Sequence, residues 1–457
     1  MNFKSRIIIG CLLGVCTLQV SAEKTYKYRI NLRDKAETAY SVGSPQAYLS
    51  ERALERRERQ GLKVDETDLP VCRTYIDAII GKGASVVTKS KWNNTVVVEV
   101  VDTTLIEQIA RLPFVTKTKK VWTSPDSIPA RNPERRKEVT NKFSKTDNYY
   151  GQAYRQIAVH RGDSLHAAGF KGEGMQIAVI DAGFYNADEM KFFKKMHLLG
   201  IRDFVNPQSD IYAENYHGMK VLSCLAANQP DVLVGTAPEA SYWLLRSEDD
   251  DTEQPVEEDY WAAALEFADS VGVDVVNTSL GYYEFDDKTC NYRYRDLDGH
   301  YSLMSHSASM AADKGLVVVC SAGNSGRGTW KKLTPPGDAE NVITVGAMDK
   351  NLVNADFSSV CNTADGRVKP DVMAVGVSSA VAGNDGTVSR ANGTSFASPT
   401  FCGLVACFWQ ACPWLTAKEV IEAVRRSADR ADAPDNIYGY GVSNIWKAYQ
   451  TELKKRK

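Results

Sequence analysis

The sequence predicts an α/β protein, a parallel sheet flanked by helices on both faces, preceded by a small α+β domain. Three observations carry that expectation. From Gly151 onward, short and continuously apolar runs alternate with helical stretches, as strands buried on both faces require. A separate series of strands and short helices occupies residues 24–122, and a stretch rich in proline and charge divides the two series. The composition, 457 residues with 43% hydrophobic and 25% charged, is that of a chain able to bury a large core.

The chain opens with Lys4 and Arg6 ahead of an apolar run over residues 7–20, followed by the small-residue site Val20-Ser21-Ala22. That pattern reads as an export signal removed after Ala22, with a lipoprotein anchor at Cys11 as a minor alternative. It is the only long apolar run, so no membrane span is expected once the signal is gone. Export places the remaining cysteines in an oxidising compartment. Cys224, Cys320, Cys402 and Cys407 lie in apolar runs and read as buried thiols, and no CxxC spacing suggests structural zinc.

Residues 23–122 read in order as a strand at Tyr26–Leu32, helices over 46–60 and 71–81, strands over 85–89 and 95–101, a helix over 104–111 and a strand over 114–122. Residues 123–150 hold Pro125, Pro129, Pro133 and the run Arg131-Asn132-Pro133-Glu134-Arg135-Arg136-Lys137, with no apolar period. This segment is expected to be an exposed linker with a processing site. The net charge of −2 excludes a generally basic nucleic-acid binder, but it hides an asymmetry. Residues 23–150 carry 24 Lys and Arg against 17 Asp and Glu, whereas residues 151–457 carry 29 against 40.

Residues 151–457 then give strands over 175–180, 241–246, 273–278, 316–320 and 342–345, and helices over 218–228, 260–271, 303–313, 395–410 and 417–428. In open parallel sheets the functional groups collect at the carboxyl ends of the strands. There the first strand ends in Asp181-Ala182-Gly183, Tyr216-His217-Gly218 opens a helix, and Asn392-Gly393-Thr394-Ser395 leads into the most apolar helix of the chain. Each alone reads as a cap or turn residue, yet aspartate, histidine and serine at the ends of one sheet are the members of a nucleophilic triad.

The motifs Ile180-Asp181-Ala182-Gly183, His217-Gly218, Gly235-Thr236-Ala237-Pro238, Asn277-Thr278-Ser279-Leu280-Gly281, Ser321-Ala322-Gly323-Asn324, Lys369-Pro370-Asp371 and Gly393-Thr394-Ser395-Phe396-Ala397-Ser398-Pro399 follow in that order. Through them the chain resembles the subtilisin-like serine peptidases over residues 152–449. The resemblance implies Ser395 as nucleophile, His217 as general base, Asp181 as the group fixing the imidazole, and Asn324 in the oxyanion hole. It implies that Ser279, Leu280 and Gly281 pair with a polypeptide substrate as one edge of the cleft. Two departures stand beside these: Met219 after His217-Gly218 and Ala182 after Asp181, where the family usually has hydroxyl residues.

Residues 23–122 resemble the ferredoxin-like propeptides of the same family, with residues 46–60 as an additional helix. Such a segment chaperones folding and occupies the cleft as an intramolecular inhibitor, and the opposite charges of the two parts suit that pairing. The expected product is a secreted serine endopeptidase, periplasmic or extracellular, working through an acyl-enzyme and requiring no cofactor or catalytic metal. Asp296-Leu297-Asp298-Gly299 matches only a fragment of a calcium loop, so no calcium site is assigned. The acidic residues Glu248, Asp249, Asp250, Asp251, Glu253, Glu257, Glu258 and Asp259 lead to an expected bias toward Lys or Arg outside the primary pocket.

Rival classes are weaker. An inactive binding or scaffold protein is the alternative, and it has no use for the intact set Asp181, His217, Asn324 and Ser395. A dinucleotide-binding fold wants its glycine turn after the first strand, whereas Gly172 and Gly174 precede it. An esterase would show a GxSxG elbow, absent around Ser395.

Overall fold

A computed structural model describes residues 23–126, 136 and 138–456. The expected leader at residues 1–22 and most of the basic run at 131–137 lie outside the described residues.

The larger domain is built on seven parallel strands. Their spatial order is Val372–Val375, Ile343–Met348, Val317–Ser321, Val275–Thr278, Gln176–Asp181, Ser241–Arg246 and His197–Asp203. Alternation within each strand sends neighbouring side chains to opposite faces. Ile177, Val179, Val317 and Val319 pack with Leu222 and Phe401 from the helices His217–Ala226 and Thr394–Ala411. Ala178, Ile180, Val276 and Val318 pack on the other face with Trp261, Leu265 and Ala308 from Val256–Val271 and Leu303–Ala311. Two covered faces explain why the central strands are continuously apolar.

Two strands escape the sequence pattern. His197–Asp203 is an edge strand with Leu198 and Ile201 left exposed, so its residues show no buried run. Val372–Val375 has only four residues and follows Lys369-Pro370-Asp371. A hairpin of Ser379–Ala382 and Val388–Ala391 was also hidden, and residues 382–387 form its turn. The Asp385 carbonyl in that turn accepts the Thr140 N–H at 2.8 Å.

The N-terminal domain is a four-stranded antiparallel sheet in the order Ser85–Ser90, Thr95–Val100, Tyr26–Leu32, Val115–Thr123. One face, with Ile30, Val96, Val98 and Val100, packs on the domain's own helices Arg73–Ile80 and Thr104–Ala110 through Ile76, Ile79, Ile106 and Ile109. The other face, with Val97 and Val121, packs on Val256 and Tyr260 of the larger domain.

Charge reinforces this contact. Arg29 is bidentate to Asp259, both contacts at 2.6 Å. The helix Glu51–Arg59, capped by the Ser50 hydroxyl, presents Arg52, Arg56 and Arg57 on one side. Arg56 and Arg57 meet Asp269 at 2.6 and 2.8 Å, Lys91 meets it at 3.1 Å, and Arg52 reaches Asp274 at 2.5 Å. Arg56, Arg57 and Asp269 are all buried. Burial alone would raise the Asp269 carboxyl, but Lys91, Arg57 and Arg56 outweigh it and hold it far below the usual carboxylate range. The Glu266 carboxylate reads the turn after Ser85–Ser90, accepting from the Ser90 hydroxyl and from the Lys91 and Trp92 N–H groups.

Residues 138–150 run along the larger domain instead of standing free. Phe143 packs on Phe192 with ring centroids 4.9 Å apart, Thr146 N–H donates to the Asp231 carbonyl at 2.7 Å, and Tyr150 is buried. The eight cysteines among the described residues are free thiols; Cys224, Cys320, Cys402 and Cys407 are buried, as their apolar runs predict.

Asp269→Ala in the full-length chain leaves Arg56 buried without its counter-charge and Arg57 with Asp68 alone, and breaking such a pair costs about 3–5 kcal/mol. The expected outcome is a loss of that size in urea unfolding of the full-length chain; an unchanged midpoint would show that Asp269 does not hold the domains together.

Candidate active site

Asp181, His217, Ser279, Leu280, Gly281, Asn324 and Ser395 all reach the carboxyl edge of the large sheet. Asp181 is the last residue of Gln176–Asp181 and fully buried. His217 is the first residue of His217–Ala226, whose start is fixed by the Asn215 side chain: its amide oxygen accepts the His217 N–H at 2.7 Å. The two segments come together because glycine backbones let them. A Cβ on Gly218 would lie 2.4 Å from the Gly183 carbonyl oxygen, and one on Gly183 would lie 2.5 Å from the Asn215 nitrogen.

The approach brings His217 Nδ1 to 2.7 Å from Asp181 Oδ1. A carboxylate only accepts, so Nδ1 carries the proton and Nε2 is left as the basic nitrogen on the cleft side. Burial pulls the imidazole pKa down, but the Asp181 charge and hydrogen bond, with Glu248 and Asp250 behind them, outweigh it and bring it to about 9. Asp181 Oδ1 also accepts the Ala182 N–H at 2.8 Å, whereas Oδ2 has no donor among the described residues.

Ser395 is the second residue of Thr394–Ala411, where backbone N–H groups have no partner within the helix. The helix contains Pro399, which has no N–H to bond the Ser395 carbonyl and whose ring crowds that oxygen. The freed carbonyl accepts the Ser279 hydroxyl at 2.9 Å. Asn277 completes the arrangement: its amide donates to Ser279 Oγ at 3.2 Å, and its oxygen accepts the Ser398 hydroxyl at 2.9 Å. A buried polar chain thus ties the loop after Val275–Thr278 to the Ser395 helix. The Ser395 hydroxyl itself donates to the Ser279 carbonyl at 3.4 Å, not to the imidazole.

Asn324 follows Val317–Ser321, and its side-chain oxygen accepts both the Thr394 N–H at 2.9 Å and the Thr394 hydroxyl at 3.0 Å. With the oxygen engaged, the amide NH2 is the end left for the cleft. His217, Ser279, Leu280, Gly281, Asn324 and Ser395 all line one cleft of about 460 Å³. A larger groove of about 900 Å³ between the two domains contains none of them.

Of the acidic residues over 248–259, whose last three fall in the first turn of Val256–Val271, only Glu248 and Asp250 line this cleft. Glu257 accepts the Asp249 and Gln254 N–H groups, Tyr292 donates to Glu258, and Asp259 holds Arg29. Burial and the neighbouring Asp181 push the Glu248 carboxyl up to about 8. Sequence reading gave no role to Asn215, Asn277 and Ser398. Asn277 and Ser398 carried a signal, a polar residue inside an apolar strand or helix, whereas Asn215 lies in a polar loop that gave none.

Among the described residues no helix is long and apolar enough to cross a membrane. Comparison with known proteins agrees with the geometry. Residues 172–441 match the subtilase family, Peptidase S8, and residues 27–147 match the Peptidase S8 propeptide domain of Bacteroidota. The chain is similar to subtilisin DY of Bacillus licheniformis, 31% identical over 301 residues, which cover 64% of this chain and 97% of that protein. It is also similar to the serine protease AprX of Bacillus subtilis, 30% identical over 323 residues, 60% of this chain and 65% of that one. A parallel-sheet domain with this set of strand-end residues, matched over more than half its length and preceded by its own propeptide domain, belongs to the subtilase family of serine peptidases.

Proposed function

We propose that this chain is an exported serine endopeptidase, made as an autoinhibited precursor, in which Ser395, His217 and Asp181 carry the reaction. The observation that carries this reading is the 2.7 Å Asp181–His217 hydrogen bond opening onto the cleft that also holds Ser395 and Asn324. Rotation of the Ser395 side chain takes Oγ from the Ser279 carbonyl to His217 Nε2, which accepts its proton as Oγ attacks the scissile carbonyl. The imidazolium, stabilised by Asp181, then protonates the leaving amine, and water returns the acyl-enzyme to the free serine by the same route. The Asn324 amide and the Ser395 N–H at its helix N-terminus meet the negative charge of the tetrahedral intermediate. The backbone of Ser279, Leu280 and Gly281 pairs with the extended peptide. No step needs a cofactor.

In the same reading residues 1–22 direct export to the periplasm or beyond. Residues 23–122 form the inhibitory propeptide, and the cut falls within 123–150. The opposite charges of the two parts and the buried pairs at Asp259, Asp269 and Asp274 support a propeptide that stays bound until it is cut and degraded.

Three measurements test this reading. Intact mass of purified wild type is expected to show loss of everything before a point between residues 123 and 151, with Ser395→Ala retaining it. Equal processing of both, with neither taking a fluorophosphonate label, would overturn the assignment of Ser395.

The general base acts only when neutral, so kcat/KM is expected to rise with pH through the His217 pKa of about 9. Glu248→Gln removes one of the negative charges that hold this value up, so the limb is expected to move to lower pH. An unmoved limb would show that Glu248 does not act on the imidazole.

Asp250 on the cleft rim, joined by Glu248 where pH rises past its value of about 8, favours a basic residue of the substrate away from the primary pocket. Peptide-library profiling is expected to show Lys or Arg enrichment there, diminished in Glu248→Gln with Asp250→Asn; a flat profile in the parent removes the preference.

A further inference from the structure

We infer that Arg246 is a positioning residue for the Asp181–His217 pair, a three-way clamp joining the two loops that carry them. The inference rests on the roles proposed above for those two residues. Arg246 closes the strand Ser241–Arg246 and stands directly opposite Asp181 in the sheet register. Its side chain is almost fully buried, and its guanidinium spreads over three oxygens from three segments. Nε donates to the Ala182 carbonyl at 3.0 Å, Nη1 to Asp203 Oδ2 at 2.9 Å, and Nη2 lies 3.5 Å from Glu214 Oε2.

Two of those contacts lead straight to the reacting pair. Ala182, held at its carbonyl by Arg246, gives its own N–H to Asp181 Oδ1. Glu214 precedes Asn215, whose side chain fixes the first N–H of the His217 helix. Asp203 is the fixed end, since it also accepts the Val205 and Asn206 N–H groups and the Ser209 hydroxyl.

The Asp181 loop depends on this support. Ala182 brings no hydroxyl, Asp181 Oδ2 has no donor among the described residues, and both donors that hold the carboxylate act on Oδ1. One of those donors is the imidazole to be oriented, so the Ala182 N–H is the independent restraint, and Arg246 holds the same residue at its carbonyl, in the next peptide unit. A planar fork is required, because a lysine ammonium is a point charge that cannot direct parallel donors to the Ala182 carbonyl and two carboxylates.

The test compares wild type, Arg246→Gln, Arg246→Lys, Glu214→Gln and Ser395→Ala by peptide hydrolysis, fluorophosphonate labelling rate and thermal unfolding. For Arg246→Gln the expectation is a fall in kcat of about 10²-fold, the scale of a small misplacement of catalytic groups, with KM within about twofold. Labelling is expected to slow in parallel. Arg246→Lys is expected to recover only part of the loss, and Glu214→Gln, which leaves the fork on Ala182, to show a smaller loss. If Arg246→Gln does not fold, Arg246→Lys and Glu214→Gln carry the same comparison. Wild-type kcat in the folded Arg246 variants, with Ser395→Ala inactive, overturns the inference alone. Undiminished activity in Ser395→Ala overturns the catalytic reading on which it rests.

Discussion

The 2.7 Å bond between a fully buried Asp181 and His217 constrains the rest of the site. A buried carboxylate is costly unless it is hydrogen-bonded and faces a group that can become positive. The two residues are 36 apart in sequence, so a strand end and a helix start must converge to a backbone contact that tolerates no Cβ at Gly183 or Gly218. The sheet order permits this, since the strand before the His217 helix lies at the far edge and the chain returns to pair Ser241–Arg246 against Gln176–Asp181. That return stroke delivers Arg246 beside Asp181, and the acidic loop that follows borders the cleft.

Ser395, the proposed nucleophile, is held by different means. Asp181 and His217 are fixed by charge and close packing, whereas Ser395 is fixed by a deliberate gap in helix hydrogen bonding. Pro399 withholds a donor, the Ser395 carbonyl turns to Ser279, and Asn277 and Ser398 complete a satisfied buried network. Ser279, whose backbone is proposed to pair with substrate, therefore also braces Ser395. On the opposite surface of the domain the reverse holds: Asp269 receives its donors from the propeptide, and its environment belongs to the precursor.

Much of this was legible in the sequence. Strands such as Ser241–Arg246 and Tyr26–Leu32 declared themselves by apolar continuity or alternation. Asp181 declared itself by closing such a run and His217 and Ser395 by opening apolar helices, whereas Asn324 and all the roles came from the family motifs. What stayed hidden were elements whose stability comes from neighbours. His197–Asp203 has one exposed side, and Val372–Val375 is too short to show a period. The uses of the acidic run were also unreadable, because Glu257, Glu258 and Asp259 turn inward to a loop, a tyrosine and an arginine over 200 residues away in sequence. Arg246 was invisible as anything but a strand end, since its three acceptors come from separate loops.

The proline in the serine helix also bears on how this enzyme could be stabilised. Helix propensity favours alanine over proline by about 3 kcal/mol at an interior position. By that scale Pro399 is the first residue an engineer would replace. The substitution would return an N–H to the helix and draw the Ser395 carbonyl back into the i to i−4 ladder, leaving the Ser279 hydroxyl and the Asn277 amide to find other partners. A more regular helix would then carry a less restrained Ser395, so under the proposed mechanism a gain in durability at this position is opposed to turnover.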